Sequence, residues 1–252
     1  MSSWDQLRAE LDLWQSEKRI ATMWWRDDDA VGVTPALETI LAFEQEYNIP
    51  LALAVIPARL EHDLVLRLAE TVDTRVLQHG WSHTNHMPDG RKKQELDDVR
   101  DIGAVVSDIR QGFKVLSSQF GSRFLPVMVP PWNRIADDVI GALPSLGIGG
   151  LSTFNARVSS HPVPDLLLVN THVDVIDWRG TRGFVGEDKC LNALIGHLAA
   201  RRTGTVDAGE PTGLLTHHLV HDDATTRFLD NLFSFEHAAF KWLRIPGVFP
   251  WQ

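Results

Sequence analysis

The stretch Ala21-Thr-Met-Trp-Trp-Arg26-Asp27-Asp28-Asp29-Ala30 decides how the chain is read. Its first half is apolar and β-prone, and its second half carries four charges in a row. Thr34 to Tyr47 follows with helical character, Thr34 suiting the N-cap and Pro35 the first helical position. A strand that ends in acids and gives way to a helix is the β-then-α unit of a parallel sheet. Upstream, Trp4, Leu7, Leu11 and Trp14 recur at helical spacing and predict a packing helix over 4–18.

Downstream the unit repeats. Strands are expected at 51–56, 75–77, 123–129, 147–153, 166–175 and 213–216, and helices at 60–69, 94–118, 135–143, 188–200 and 222–242. About seven such units place the chain in the α/β class, with a parallel sheet that is open or closed into a TIM-like barrel. Residues 1–252 are read as a single domain, with 243–252 as a C-terminal tail. That tail, Ile245-Pro-Gly-Val-Phe-Pro-Trp251, is apolar enough to pack on its own barrel or on a second copy in a homo-oligomer. Parallel sheets keep their chemistry beyond the carboxyl ends of the strands. The unusual polar clusters of this chain fall there: the aspartate triplet, His79 to His83, Pro130 to Asn133, Asp174 to Trp178, and Thr216 to His218.

Composition narrows the functions. Thirty-three acidic against 24 basic side chains leave a formal charge of −9, with no basic stretch. Nucleic acid and anionic membrane surfaces are therefore not expected as partners, since both need clustered Lys and Arg. No segment approaches the ~18 apolar residues of a membrane span, and Met1-Ser-Ser-Trp-Asp does not resemble a leader, so a cytoplasmic location is expected. The single cysteine, Cys190, excludes an internal disulfide and any multi-cysteine zinc site.

Three adjacent carboxylates, Asp27, Asp28 and Asp29, repel one another unless a cation or a proton relieves them, the alternative being a solvated loop. His79 and His83, with His86 three residues on, have a spacing that can aim two imidazoles at one point, or else form a hydrogen-bonded buried pair. Joined by an aspartate they would leave open positions on a metal for water and substrate. Pro130 and Pro131 stiffen their turn and make the Trp132 amide its first free donor, suited to an oxyanion. His217 and His218, after the last strand, could supply a general acid or simply pack. Asp174, Asp177 and Trp178 could equally be a surface acid pair and a core aromatic.

In these motifs the sequence resembles the polysaccharide deacetylases, the NodB-homology family also called carbohydrate esterase family four. Trp25-Arg-Asp27-Asp28-Asp29-Ala30 resembles their Thr-Phe-Asp-Asp-Gly-Pro, and His79-Gly-Trp-Ser-His83 their His-Ser/Thr-x-x-His. Val129-Pro-Pro-Trp132 resembles Arg-x-Pro-Tyr, Asp174 to Trp178 the fourth motif, and Leu215-Thr-His217 the fifth, Leu-x-His. The resemblance implies a distorted (β/α)7 TIM-like barrel and a metal-dependent hydrolase of an N-acyl, first of all N-acetyl, group on a sugar. It implies Asp27 as catalytic base and Asp28, His79 and His83 as ligands of one divalent ion, zinc first, with iron, cobalt or nickel fitting the same donors. The Trp132 amide would form the oxyanion hole, and His217, oriented by Asp174 or Asp177, would be the acid. Trp81, Trp178, Asn133, His218 and His86 would face a glycan or small-molecule substrate. Three departures stand out. Asp29-Ala30 replaces Gly-Pro, which makes Asp29 an alternative ligand. The third motif's arginine is Val129, with Arg26 and Arg134 as neighbouring substitutes, and the histidine of the fifth motif is doubled. A hydrolase of a non-sugar amide and a catalytically silent sugar-binding barrel are the rival expectations.

Overall fold

In a computed structural model residues 2–250 are described. They form α1 (Ser3–Ser16), β1 (Ala21–Ala30), α2 (Pro35–Tyr47), β2 (Leu51–Val55), α3 (His62–Ala69), β3 (Arg75–His79), α4 (Ile102–Phe120), β4 (Phe124–Val129) and α5 (Asp137–Ala142). Then come β5 (Gly150–Leu151), β6 (Leu167–Leu168), β7 (Val173–Asp174), α6 (Glu187–Thr203), β8 (Thr212–Thr216), α7 (Asp223–Phe233), β9 (Phe240–Trp242) and α8 (Ile245–Val248). Helix starts follow local chemistry: Ser2 and Asp5 form a capping box on α1, and Thr34 accepts the Leu37 amide at the head of α2. No described helix is long and apolar enough to cross a membrane.

The sheet is parallel throughout and runs β6-β5-β4-β3-β2-β1-β8-β7, with β9 added beside the start of β1. It curls into a distorted (β/α)7 barrel whose seam lies between β6 and β7. The sixth strand expected over 166–175 is split there. Its beginning pairs with β5 and its end with β8. Between them Asn170 leaves the ladder: its amide donates to Glu210 (2.8 Å) and its carbonyl accepts from the Trp24 indole (3.2 Å). One segment thus crosses from one edge of the sheet to the other.

Two helices differ from expectation. The helix expected from Gln94 starts only at Ile102, because Glu95 and Asp97 are buried acceptors for loop amides and cannot serve a surface helix. The helix expected over 222–242 stops at Phe233, and its last three residues become β9, with Ala21 opposite Phe240.

Strand alternation separates two cores. Leu51, Leu53 and Val55 face the helices, whereas Ala52 and Ala54 face the barrel interior. The small alanines leave room for Trp24, which meets Phe249 edge-on at 5.6 Å. Ile245, Val248 and Phe249 join this interior cluster, so the tail packs on its own barrel through these residues; Trp251 lies outside the described residues.

Gly213 is a point where backbone approaches backbone closely. A Cβ on Gly213, in β8, would lie 2.7 Å from the Asn170 carbonyl oxygen and the Thr171 Cα, and 2.6 Å from the Trp24 indole nitrogen. Backbone cannot yield there as a side-chain tip would. Gly213→Ala is expected to destabilise the protein by about 1–3 kcal/mol or more through overpacking, seen as a lowered denaturant midpoint at unchanged slope.

Candidate active site

The site begins with an irregularity in β1. Asp27 lies opposite Leu53 but Ala30 lies opposite Val55, so three steps of β1 match two of β2. Asp29 sits in this bulge with φ 74°, a left-handed conformation uncommon for a non-glycine residue. Simple alternation would put Asp29 on the face of Asp27, towards the helices. The bulge instead re-aims it at the end of β3. There Asp29 Oδ1 lies 3.0 Å from His79 Nε2 and 3.2 Å from His83 Nε2.

These three side chains form the one ligand group among the described residues whose atoms converge at the strand ends. Asp28, the carboxylate first expected beside the histidines, is not in this group and the alternative Asp29 is, for the bulge decides which carboxylate faces the imidazoles. His79 Nδ1 bonds the Val129 carbonyl (2.9 Å), which can only accept, so the proton sits on Nδ1. A neutral His79 then turns the Nε2 lone pair straight at a carboxylate oxygen. Two acceptors at 3.0 Å require a proton or a cation between them. Burial alone would lower the His79 pKa, but the Asp29 bond and the charges of Asp28 and Asp29 outweigh it and raise it. Burial works to raise Asp29, yet the His79 bond and the surrounding histidines hold it far below the carboxylate range. His83 is lowered by burial and by His79. The donor set therefore fits a divalent cation, with the Val129 carbonyl holding the far nitrogen of His79 as carbonyls commonly do for metal-bound histidines.

The loop that carries the histidines is shaped by a residue the sequence did not bring forward. Glu95, buried, accepts from the amides of Trp81 (3.1 Å), Ser82 (2.7 Å) and Thr84 (3.3 Å) and from the Ser82 hydroxyl. Gly80, at φ 57°, lets this carboxylate and Pro131 approach where a Cβ would collide with both. The only sequence signal was an acid inside an apparent helix.

Inside the barrel, Arg26 and Asp28 lie two residues apart on one face of β1 and are both buried. Arg26 Nε stands 2.9 Å from Asp28 Oδ1, and Nη2 donates to Oδ2 (3.0 Å). The remaining donors reach the Asn133 side chain (2.7 Å), the Ser152 hydroxyl (2.7 Å) and the Ser152 and Thr153 carbonyls. Of the two arginines expected to stand in for Val129, Arg26 is the one that meets Asp28, while Arg134 donates to the Lys93 carbonyl. Trp132 and Asn133 are left-handed (φ 57° and 55°), and the amides of Asn133 and Arg134 turn back on Pro130 and Pro131. The Trp132 ring lies 4.4 Å from that of His83.

Asp28 Oδ2 is 3.9 Å from His217 Nε2. Trp178 meets the His217 ring edge-on at 4.7 Å and donates its indole N–H to Asp174 (2.9 Å). Burial raises Asp174, partly offset by His217. Asp177 is spent on the Gly180 amide in a turn, so of the two acids expected to orient His217 only Asp174 is in its surroundings.

Two further expectations change. Asp27, expected as base, is fully buried on the opposite face of β1, with its oxygens bonded to Thr216 and His218; no reactant can reach it. His218, expected to face substrate, is 1% exposed and is its partner. Trp81 is half-buried with its carbonyl taken by the Ala58 amide, and the His86 amide donates to the Gln94 carbonyl.

A second cluster, His172, His197 and Glu210, lies before β7 and β8, at the far end of the barrel. The Gly213 amide donates to His172 Nδ1 (3.0 Å), which places the neutral ring's proton on Nε2, the atom 3.4 Å from Glu210. That nitrogen has no lone pair for a cation, the reverse of His79.

No family model matches the sequence, and no curated protein matches it. Solved structures do. A putative polysaccharide deacetylase from Mycobacterium smegmatis superposes with a TM-score of 0.62 at 15% identity, covering 91% of this chain and 89% of that one. The chain has the polysaccharide deacetylase fold. A peptidoglycan N-acetylglucosamine deacetylase follows at 0.57 and 16%, over 93% and 94% of the two chains. A family 4 acetyl xylan esterase from Clostridium thermocellum, solved with a cobalt ion, gives 0.54 and 13%, over 90% of each. The likeness to these deacetylases covers nine-tenths of the chain and lies in its backbone.

The assignment of ligands can be checked without any substrate. Asp29→Ala is expected to weaken divalent-ion binding at least about 100-fold, beyond what loss of an outer-shell partner costs. Asp28→Asn is expected to leave one ion per chain. Calorimetric titration with zinc or cobalt reads both, and the reverse order would restore Asp28 as ligand.

Proposed function

We propose that this chain is a divergent polysaccharide deacetylase: a metal-dependent hydrolase that removes an N-acyl group, in the first instance N-acetyl, from a sugar-type substrate. The observation that carries the reading is the lone pair of His79 Nε2 facing the Asp29 carboxylate, with a buried acid and an imidazole beside it. Zinc suits the two-histidine, one-carboxylate set, and iron, cobalt or nickel fit the same donors. A divalent ion bound there supplies Lewis acidity to the acyl carbonyl and acidifies the attacking water.

The chain's own residues divide the remaining work. Asp28 takes the proton of the attacking water. Its two oxygens are held by Arg26, which keeps the acceptor oriented inside a buried pocket. The Trp132 amide, presented by a turn that two prolines make stiff, donates to the carbonyl oxygen as negative charge develops there. His217 stands on the other side of Asp28, with Trp178 against its ring, and delivers a proton to the departing amine. Exposed Trp178 offers an aromatic face for a sugar ring at the mouth.

The test is acetate release from an N-acetylated chito-oligosaccharide and from a panel of small acyl amides. Turnover is expected with added metal and lost on chelation. Asp28→Asn and His217→Ala are each expected to lower kcat about 10²–10⁴-fold, the range for general acid or base groups, with metal content retained. Release only from the non-sugar amides would move the substrate class. No release at full metal loading would favour a silent sugar-binding barrel.

A further inference from the structure

We infer that the buried Asp27–His218 pair is a clamp that fixes the distance between Asp28 and His217, making both its members positioning residues. The inference rests on the roles given above to Asp28 and His217. Its geometry comes from two pairs of neighbours in sequence. Asp27 precedes Asp28 at the end of β1, and His218 follows His217 just beyond β8.

β1 and β8 pair in parallel from Met23 with Thr212 to Asp27 with Thr216, and there the ladder ends. His217 is the first residue past the last rung. The Asp27 carboxylate takes over at that point. It accepts from the Thr216 hydroxyl (2.6 Å), the His218 amide (2.9 Å) and His218 Nδ1 (2.5 Å). These donors lie on the residues immediately before and after His217, so its backbone is bracketed from both sides by one carboxylate. The Trp25 indole, donating to the Thr216 hydroxyl (2.8 Å), fixes that hydroxyl in turn.

Alternation along β1 completes the arrangement. Asp27 faces the helices and grips the β8 end, while Asp28 faces the interior and reaches His217 Nε2 at 3.9 Å. A shift of the turn at His218–Val220 would move His217 relative to Asp28 without touching the proposed ligands on β1, on β3 and in the loop after β3. Strand cohesion does not need such a pair, because the ladder already supplies five registered positions. Nor is a buried ion pair a strong source of stability, since its desolvation opposes its attraction. What it adds is direction beyond the ladder.

The experiment compares metal-loaded Asp27→Ala, His218→Ala and the double variant with the wild type. Each single change is expected to lower kcat about 100-fold, the cost of roughly 1 Å misplacement, while KM and metal affinity stay within about threefold of wild type. The double variant is expected to be no slower than either single one, because both remove one device. His218→Asn, whose amide can stand in for Nδ1, is expected to recover most of the loss and also serves if the alanine variants do not fold. His172→Gln, which disturbs a buried cluster at the far end, provides a control that lowers stability but leaves kcat alone. Crystal structures of His218→Asn and of Asp27→Ala, or of His218→Ala if that folds instead, read the Asp28–His217 separation directly. It should widen in the alanine variant and hold in His218→Asn. Wild-type kcat in Asp27→Ala, a parallel loss of metal affinity, or an unchanged separation would overturn the clamp. If the wild type hydrolyses no acyl amide, the proposed function fails while the separation still decides the clamp.

Discussion

The arrangement at the strand ends depends on one extra residue in β1. Because three steps of β1 match two of β2, Asp29 leaves the alternation and enters a left-handed conformation. Three consecutive aspartates then point to three destinations: Asp27 to the β8 turn, Asp28 to Arg26, Asp29 to the histidines. Without the bulge Asp27 and Asp29 would share a face, and their repulsion would have no partner to relieve it. Left-handed residues recur around this point, at His83, Trp132 and Asn133. Such conformations are costly for side chains larger than glycine and persist where the surroundings over-determine them. Here Glu95, the two prolines and the Arg26 fork provide that constraint.

The barrel interior is divided along its axis. At the end away from the site it is apolar, with Trp24 and Phe249 filling the space that Ala52 and Ala54 leave. Towards the strand ends it becomes charged, with Arg26 and Asp28 both buried. Burying these charges singly would be prohibitive, so each is matched within hydrogen-bond reach. Arg26 also ties β1 to the turns after β4 and β5, which makes Asp28 and the Pro130–Asn133 turn parts of one network. Asp27 and His218 do the same between β1 and β8. Lateral ties of this kind hold positions where the sheet's own ladder has run out.

Much of the layout was legible in the residues. β-prone runs followed by helical ones located β1 to β4 and β8, since each alternates apolar burial with a clear turn signal. The clusters after those strands marked the site because polar residues at strand ends have no packing reason to be there. The seam was not legible: Leu166 to Val175 looks like one strand, and only the positions of β5 and β8 on either side divide it. Gln94 to Asp101 looked helical because its local pattern cannot show that Glu95 and Asp97 are needed as acceptors for loop amides. Which aspartate of the triplet lies beside the histidines was expected one residue too early for a related reason. A bulge is a property of two strands in register, and neither strand announces it alone.

The amino-acid sequence by itself determined the parallel α/β class, the order of the units and the chemical types gathered at the strand ends, because hydrophobic periodicity and local turn chemistry are properties of short segments. Tertiary structure alone decided which carboxylate faces the imidazoles, which arginine holds Asp28, and that His218 is buried while His217 is less so. Those outcomes follow from distances between residues up to 191 positions apart in the chain. They are set by register, burial and the pairing of charges, none of which a single segment contains.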